Sequence, residues 1–106
     1  MAWIALVAAG LLEIAWAFSM KKSAGFTLLV PSAITFVTMA ASFALLAFAM
    51  RSLPLGTAYT VWTGIGALGA FVVGVAVLGE PLSLLRLAAA GCILVGIVMM
   101  KLSATG

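Results

Sequence analysis

Glu13 is the one charged residue in an otherwise apolar run of the sequence from Ala2 to Met20. About ten residues of helix would precede it, which places its carboxyl group roughly 15 Å deep, near the middle of a bilayer. An acidic side chain at that depth costs a few kcal/mol, so it usually marks a functional site. A carboxyl group can exchange a proton for a cation, which is the minimal chemistry of a coupled carrier. The competing interpretation is a protonated acid that joins helices by a hydrogen bond.

Gly10 and Trp16 each stand three residues from Glu13 and therefore share its helix face. The indole N–H of Trp16 can donate a hydrogen bond to the carboxylate and fix its orientation. A membrane tryptophan can instead belong to the belt at the water interface, which suits Trp3 by its position. Because Trp16 stands deeper than this belt, we expect it to line the site.

The second apolar segment carries a polar stripe, in which Thr35, Thr38 and Ser42 recur at helical spacing. Hydroxyl groups in membrane helices often bond only a carbonyl of their own helix or of a neighbour, and this alternative stays open for each of them. As a stripe they favour a face turned toward a cavity. We expect Ser42 to reach the level of Glu13.

The third apolar segment begins with two aromatic residues, Tyr59 and Trp62, spaced one helical turn apart. They could be interfacial belt residues, or their rings could hold a cation. Four glycines then crowd the same segment, and they could permit close packing or let the helix bend. These glycines are Gly64, Gly66, Gly69 and Gly74.

In the fourth segment, Ala89 and Gly96 stand seven residues apart and share one face. Small residues at this spacing allow two helices to approach closely, within one chain or between two. Four helices with one acidic residue in their interior make a poor cavity, so we expect this face to form a dimer contact.

The elements that position these residues follow from composition. Hydrophobic residues make up 67% of the 106 residues and charged ones 7%, which indicates a membrane protein. A spanning helix needs roughly 20 mainly apolar residues, and the sequence holds four such segments. We expect an all-α membrane protein with one domain over 1–106. The predicted spans are about 2–20, 29–50, 57–78 and 84–102.

The loop charges predict weak orientation in the membrane. With four spans, Arg51 and Lys101 face one side, whereas Lys21, Lys22 and Arg86 face the other. The positive-inside rule needs an excess on one side, so insertion in both orientations is expected. The alternative is that the two loop lysines fix one orientation.

Several classes of function have no support in the sequence. It has no histidine and one cysteine, so we expect no metal site, no cofactor and no disulfide framework. The scattered basic residues do not form a nucleic-acid footprint. No nucleophile–base pair or phosphate loop is present to suggest an enzyme. The basic residues follow the first apolar run, so a cleaved signal peptide is not expected.

Four spans in about 106 residues, with a lone glutamate in the first, resemble the small multidrug resistance family. Trp16 and Lys21 are similar to its guanidinium-exporter branch. The multidrug branch typically has a small residue at the position of Trp16 and an aromatic one at that of Met39. The stretches that carry the resemblance are Glu13, GFTLLVPS (25–32), LPLGTAYTVWTGIG (53–66) and the Ala89–Gly96 face.

The resemblance implies an antiparallel, dual-topology homodimer in the inner (plasma) membrane of a prokaryote. It would export guanidinium or a related small organic cation in exchange for protons by alternating access. Glu13 of each subunit would bind proton and substrate in competition, with Trp16 and Ser42 positioning its carboxylate. Gly10, Tyr59 and Trp62 would line the site. The partners implied are a second copy of the chain, the cation, protons and the lipid bilayer.

Two other functions remain open at this stage. A broad quaternary-ammonium exporter could use the same scaffold. The chain could also be a non-transporting membrane partner or half of a heterodimer, although paired subunits of this kind usually have strongly opposite loop charges.

Overall fold

The computed structural model describes residues 1–103, and these residues form four α-helices. The helices are α1 (Ala2–Lys22), α2 (Leu29–Ala49), α3 (Leu55–Ala76) and α4 (Leu84–Ser103). Each is long and apolar enough to cross a membrane. The predicted fold class, an all-α protein with four membrane-spanning helices, is confirmed.

Helix α3 begins and ends two residues earlier than the predicted span of about 57–78. Pro54 caps the start with φ −60°, a value that suits a helix, so α3 begins directly after it. At the other end, the N–H of Glu80 donates to the carbonyl of Gly74 at 2.9 Å. Gly79 has φ +70°, which lets the chain fold back over the last turn of the helix.

The loop between α1 and α2 is held by Ser23, which is fully buried. Its hydroxyl donates to the carbonyl of Met20 at 2.7 Å and accepts from the N–H of Phe26 at 3.0 Å. The ring of Phe26 stacks on Phe36 of α2, with centroids 5.4 Å apart. These contacts make the turn compact, so α1 and α2 form a hairpin.

Helix α1 is the centre of the packing. It lies against both α2 and α3, whereas α2 and α3 touch each other little and α4 packs on α3. The described part of α4 has no buried residue. The buried apolar residues of the core are Ala5, Leu6, Ala9, Leu46, Ala49, Leu53, Ala58, Val61 and Trp62.

Glycines set the separation between the helices. A Cβ atom added to Gly10 would stand 2.7 Å from the Cγ2 atom of Ile65, closer than side chains approach one another. A Cβ on Gly69 would overlap Ile14, and one on Gly64 would stand 2.9 Å from Ile97. Helix α3 is continuous from Leu55 to Ala76. In this structure its glycines therefore serve close packing, and no break accompanies them.

Candidate functional site

The carboxyl group of Glu13 lies against the backbone of α3. A Cβ atom on Gly66 would overlap this carboxyl, so the contact depends on the missing side chain. The Oε1 atom is shielded from solvent and has no hydrogen-bond partner within residues 1–103. Glu13 is half-buried as a whole. The site therefore contains a carboxyl oxygen that forms no hydrogen bond with the described residues.

Ser42 joins the three packed helices through its hydroxyl group. It is fully buried, and its Oγ donates to the backbone carbonyl of Ala9 on α1 at 2.7 Å. The same oxygen accepts from the indole N–H of Trp62 on α3 at 3.0 Å. The sequence predicts that Ser42 reaches the Glu13 level, and the family resemblance implies that it positions the carboxylate. In this single chain it instead bonds α1 one turn before Glu13.

An aromatic wall, formed by Trp16, Phe43, Trp62 and Tyr59, begins at Trp16, three residues after Glu13 on the same helix. Phe43 contacts Trp16 edge-on at 6.5 Å and Trp62 at 5.8 Å between ring centroids. Tyr59 contacts Trp62 at 5.6 Å. Trp62 is 7% exposed and Tyr59 is 53% exposed, so the wall leads from the core to the surface. The structure thus brings together three of the predicted aromatic residues.

Phe43 is the member of this wall that the sequence analysis missed. It follows Ser42 directly on a helix that has two other phenylalanines, Phe36 and Phe48, and nothing in its spacing distinguishes it. The Nε1 atom of Trp16 is buried and has no hydrogen-bond partner within residues 1–103. The expected bond from Trp16 to Glu13 is therefore not formed in the single chain.

The rest of the polar stripe on α2 bonds within its own helix. The hydroxyl of Thr35 donates to the carbonyl of Pro31 at 2.8 Å, and that of Thr38 donates to Ile34 at 2.7 Å. This is the alternative that the sequence left open for each hydroxyl. Ser42 is therefore the one member of the predicted stripe whose hydroxyl bonds another helix.

Gly10 is buried beneath Ile65 in the contact between α1 and α3. Its observed neighbour is thus an apolar side chain of α3, and its effect on the site is to bring the two helices together. That it lines the cation site stays a prediction.

Ala89 and Gly96 line two grooves between α3 and α4 that meet at Ala67 and Ile93. A Cβ atom on Gly96 would meet nothing within 4 Å in this chain. The small-residue face of α4 is therefore open, and its predicted role as a dimer contact stays a prediction.

The cationic side chains lie near the helix ends, away from Glu13. Each of three lies over an aromatic ring: Lys101 over Trp3 at 4.4 Å, Lys22 over Phe18 at 5.6 Å and Arg51 over Phe48 at 5.9 Å. Within residues 1–103, no three His, Cys, Asp or Glu residues cluster as a metal site would require. The arrangement suits reversible binding of an organic cation or a proton at one carboxyl group.

Comparison with known proteins agrees with this geometry. The family model described as "Small Multidrug Resistance protein" matches residues 1–93. A protein named guanidinium exporter from Yersinia pseudotuberculosis serotype I (strain IP32953) is 59% identical over 103 residues, covering 97% of this chain and 99% of the relative. Guanidinium exporters of Escherichia coli (strain K12) and Citrobacter freundii are 55% and 54% identical over the same length, covering 97% of this chain and 98% of each relative.

Within residues 1–103 the chain has four helices that are long and apolar enough to span a membrane, and its relatives are named as guanidinium exporters of bacteria. It is therefore a multi-pass transporter of the inner membrane and not an enzyme. The family model covers most of the chain, and the relatives match it almost from end to end. The chain therefore belongs to the small multidrug resistance family of membrane transporters.

Proposed function

We propose that this protein exports guanidinium in exchange for protons, with Glu13 as the group that binds either one. The observation that carries the proposal is the carboxyl of Glu13, which lies within an apolar helix with its Oε1 unpaired by any residue from 1 to 103. The relatives named guanidinium exporters support the choice of cation.

The chemistry of guanidinium suits this site. The ion is planar and carries several N–H donors, which match the two oxygens of a carboxylate. The faces of Trp62 and Tyr59 can stabilise its charge by cation–π attraction. Their rings are in contact with each other, and within residues 1–103 the basic side chains that lie over aromatic rings lie over others, so an incoming cation meets no competing cation at these two.

The complete site is proposed to form between two antiparallel copies of the chain. A single chain offers one interior carboxyl, and the open small-residue face of α4, around Gly96, is available to a partner. The nearly even distribution of loop charges, two against three, supports insertion in both orientations. Glu13 of each copy would then face one shared cavity.

Coupling follows from competition at Glu13. A carboxyl that holds a proton has lost the charge that attracts guanidinium, and a carboxylate paired with guanidinium resists protonation. When the dimer exposes the site to either side in turn, a proton bound on one side displaces the cation released there. An inward proton gradient therefore drives guanidinium out.

Glu13→Gln tests the proposal, because glutamine has nearly the same shape but neither charge nor exchangeable proton. Reconstituted in liposomes, this variant should lose guanidinium uptake driven by a pH gradient and still assemble. Glu80→Gln is the matched control, since Glu80 is the only other acidic residue and stands exposed in the loop before α4. Undiminished gradient-driven transport by Glu13→Gln would refute the role of Glu13.

The same liposomes separate guanidinium from quaternary ammonium. The aromatic wall is the observation that favours quaternary ammonium as the substrate, because a cation without hydrogen-bond donors relies on ring faces and apolar surface. We expect larger transport currents with guanidinium than with tetraalkylammonium ions. The reverse order would identify a broad quaternary-ammonium exporter instead.

A further inference from the structure

Gly66 differs from the two other glycines of α3 that lie within the helix contacts. Gly64 and Gly69 face isoleucine side chains, Ile97 and Ile14. Gly66 is buried and faces the carboxyl group of Glu13. The acidic group of the site is thus packed on bare backbone, at a place where any other residue type would put a side chain.

The space between Gly66 and the Glu13 side chain is too small for an added methyl group. A methyl group on Gly66 would overlap the Oε1 and Cδ atoms of Glu13, and it would stand 2.8 Å from Cγ. Movement of α3 away from α1 is opposed by the packing on either side of this contact. There Ile65 packs on Gly10 and Ile14 packs on Gly69, and both contacts would be lost. An added methyl group must therefore displace the carboxyl itself.

We propose that Gly66 is a positioning residue, whose missing side chain fixes the depth and direction of the Glu13 carboxyl in the cation site. The inference rests on the proposed function, since it concerns how well Glu13 meets its cation. A planar donor such as guanidinium is sensitive to this placement. Loss of the alignment of one hydrogen bond between charged groups weakens a binding constant by about 10- to 100-fold.

The test compares Gly66→Ala, Glu13→Asp and the double variant by initial rates of guanidinium transport in liposomes. Gly66→Ala should raise the KM for guanidinium by about 10- to 100-fold and lower kcat much less. Glu13→Asp alone should also weaken transport, because the carboxyl is drawn back. In the Gly66→Ala background the same shortening makes room for the methyl group, so Glu13→Asp should lower the KM again. Glu13→Asp would thus raise the KM in the wild-type background and lower it in the Gly66→Ala background. This opposite effect is the result expected if Gly66 positions the carboxyl.

Gly69→Ala is the matched control. Its added methyl group would overlap Ile14 in the same helix contact, but it would not touch the carboxyl. It should reduce the yield of assembled protein and leave the KM within about twofold of wild type, because its methyl group meets Ile14 and not the carboxyl that binds the cation. Alanine favours a helix more than glycine does, so weakened helix formation cannot explain a loss in either variant.

Equal KM values for Gly66→Ala and Gly69→Ala would overturn the inference, as would a Glu13→Asp effect of the same sign in both backgrounds. If Gly66→Ala does not assemble, an NMR contact in the wild-type protein decides instead. A cross-peak between the Hα protons of Gly66 and the Hγ protons of Glu13 supports the inference, and its absence overturns it. Failure of the wild type to exchange guanidinium for protons would refute the proposed function, and the NMR contact would still decide the inference.

Discussion

Replacing Ser42 by alanine should weaken the packing of three helices at once. The Ser42 hydroxyl donates to the Ala9 carbonyl of α1 and accepts from the Trp62 indole of α3. Alanine fits the space but removes both bonds. The carbonyl of Ala9 can still accept within its own helix, whereas the buried N–H of Trp62 is left without the oxygen that satisfies it.

The magnitude follows from the two lost bonds. Hydrogen bonds between membrane helices contribute about 0.6 kcal/mol on average and at most about 1.7 kcal/mol. Both bonds here are short, at 2.7 and 3.0 Å, and Ser42 is fully buried. We therefore expect Ser42→Ala to lower the free energy of unfolding by about 1–2 kcal/mol, with the larger share from the unsatisfied indole.

Unfolding by sodium dodecyl sulfate from a mild detergent, followed by circular dichroism, measures this change. Thr38→Val is the matched control on the same helix, because Thr38 bonds only carbonyls of its own helix. It should change the free energy by less than about 0.5 kcal/mol. Trp62→Phe completes a double-mutant cycle with Ser42→Ala, and the two should be coupled.

Equal destabilisation by Ser42→Ala and Thr38→Val would refute the reasoning, because both variants lose a hydroxyl at a helix interior. So would strict additivity of Ser42→Ala and Trp62→Phe, which would mean that the Trp62–Ser42 bond contributes nothing to stability.

Two further predictions concern Gly10 in the middle of α1 and the contact between Trp3, near the start of α1, and Lys101 of α4. Gly10→Ala should separate α1 from α3, because its methyl group would press on Ile65. We expect a lower yield of folded protein. Adding Ile65→Ala to the same chain should restore part of this yield. Lys101→Ala removes the ammonium group that lies 4.4 Å from the centre of the Trp3 ring. It should lower the free energy of unfolding by about 0.5–1 kcal/mol in the detergent titration. Lys101→Arg keeps a cation over the ring and should therefore keep most of the wild-type stability. Wild-type stability in Lys101→Ala, or no recovery with Ile65→Ala, would contradict these expectations.

The fold was predictable because a membrane-spanning helix leaves a strong mark on the sequence. Mainly apolar stretches of about 20 residues, separated by turns with glycine or proline, located all four helices. The error at α3 arose from Pro54 and Gly79, whose exact turn geometry depends on backbone hydrogen bonds that the sequence does not display.

The site was predictable in its residue types and less so in its contacts. Glu13 stands out because acidic residues are rare in a membrane interior, and Tyr59 and Trp62 stand out because they are spaced one helical turn apart. The partner of Ser42 could not be foreseen, since the carbonyl of Ala9 belongs to the backbone that every residue has. Phe43 was overlooked for a similar reason: in an apolar helix a phenylalanine is common, and only the tertiary contact distinguishes it.

The peripheral position of α4 has a consequence for how such a chain can change over time. The carboxyl, the Ser42 bonds and the aromatic wall all belong to α1, α2 and α3, whereas α4 packs mainly on α3, meets α1 where Lys101 lies over Trp3, and buries none of its described residues. Substitutions on the outer face of α4 can therefore change that surface and leave Glu13, the Ser42 bonds and the ring contacts as they are. Selection can act on this face largely independently of the residues around Glu13.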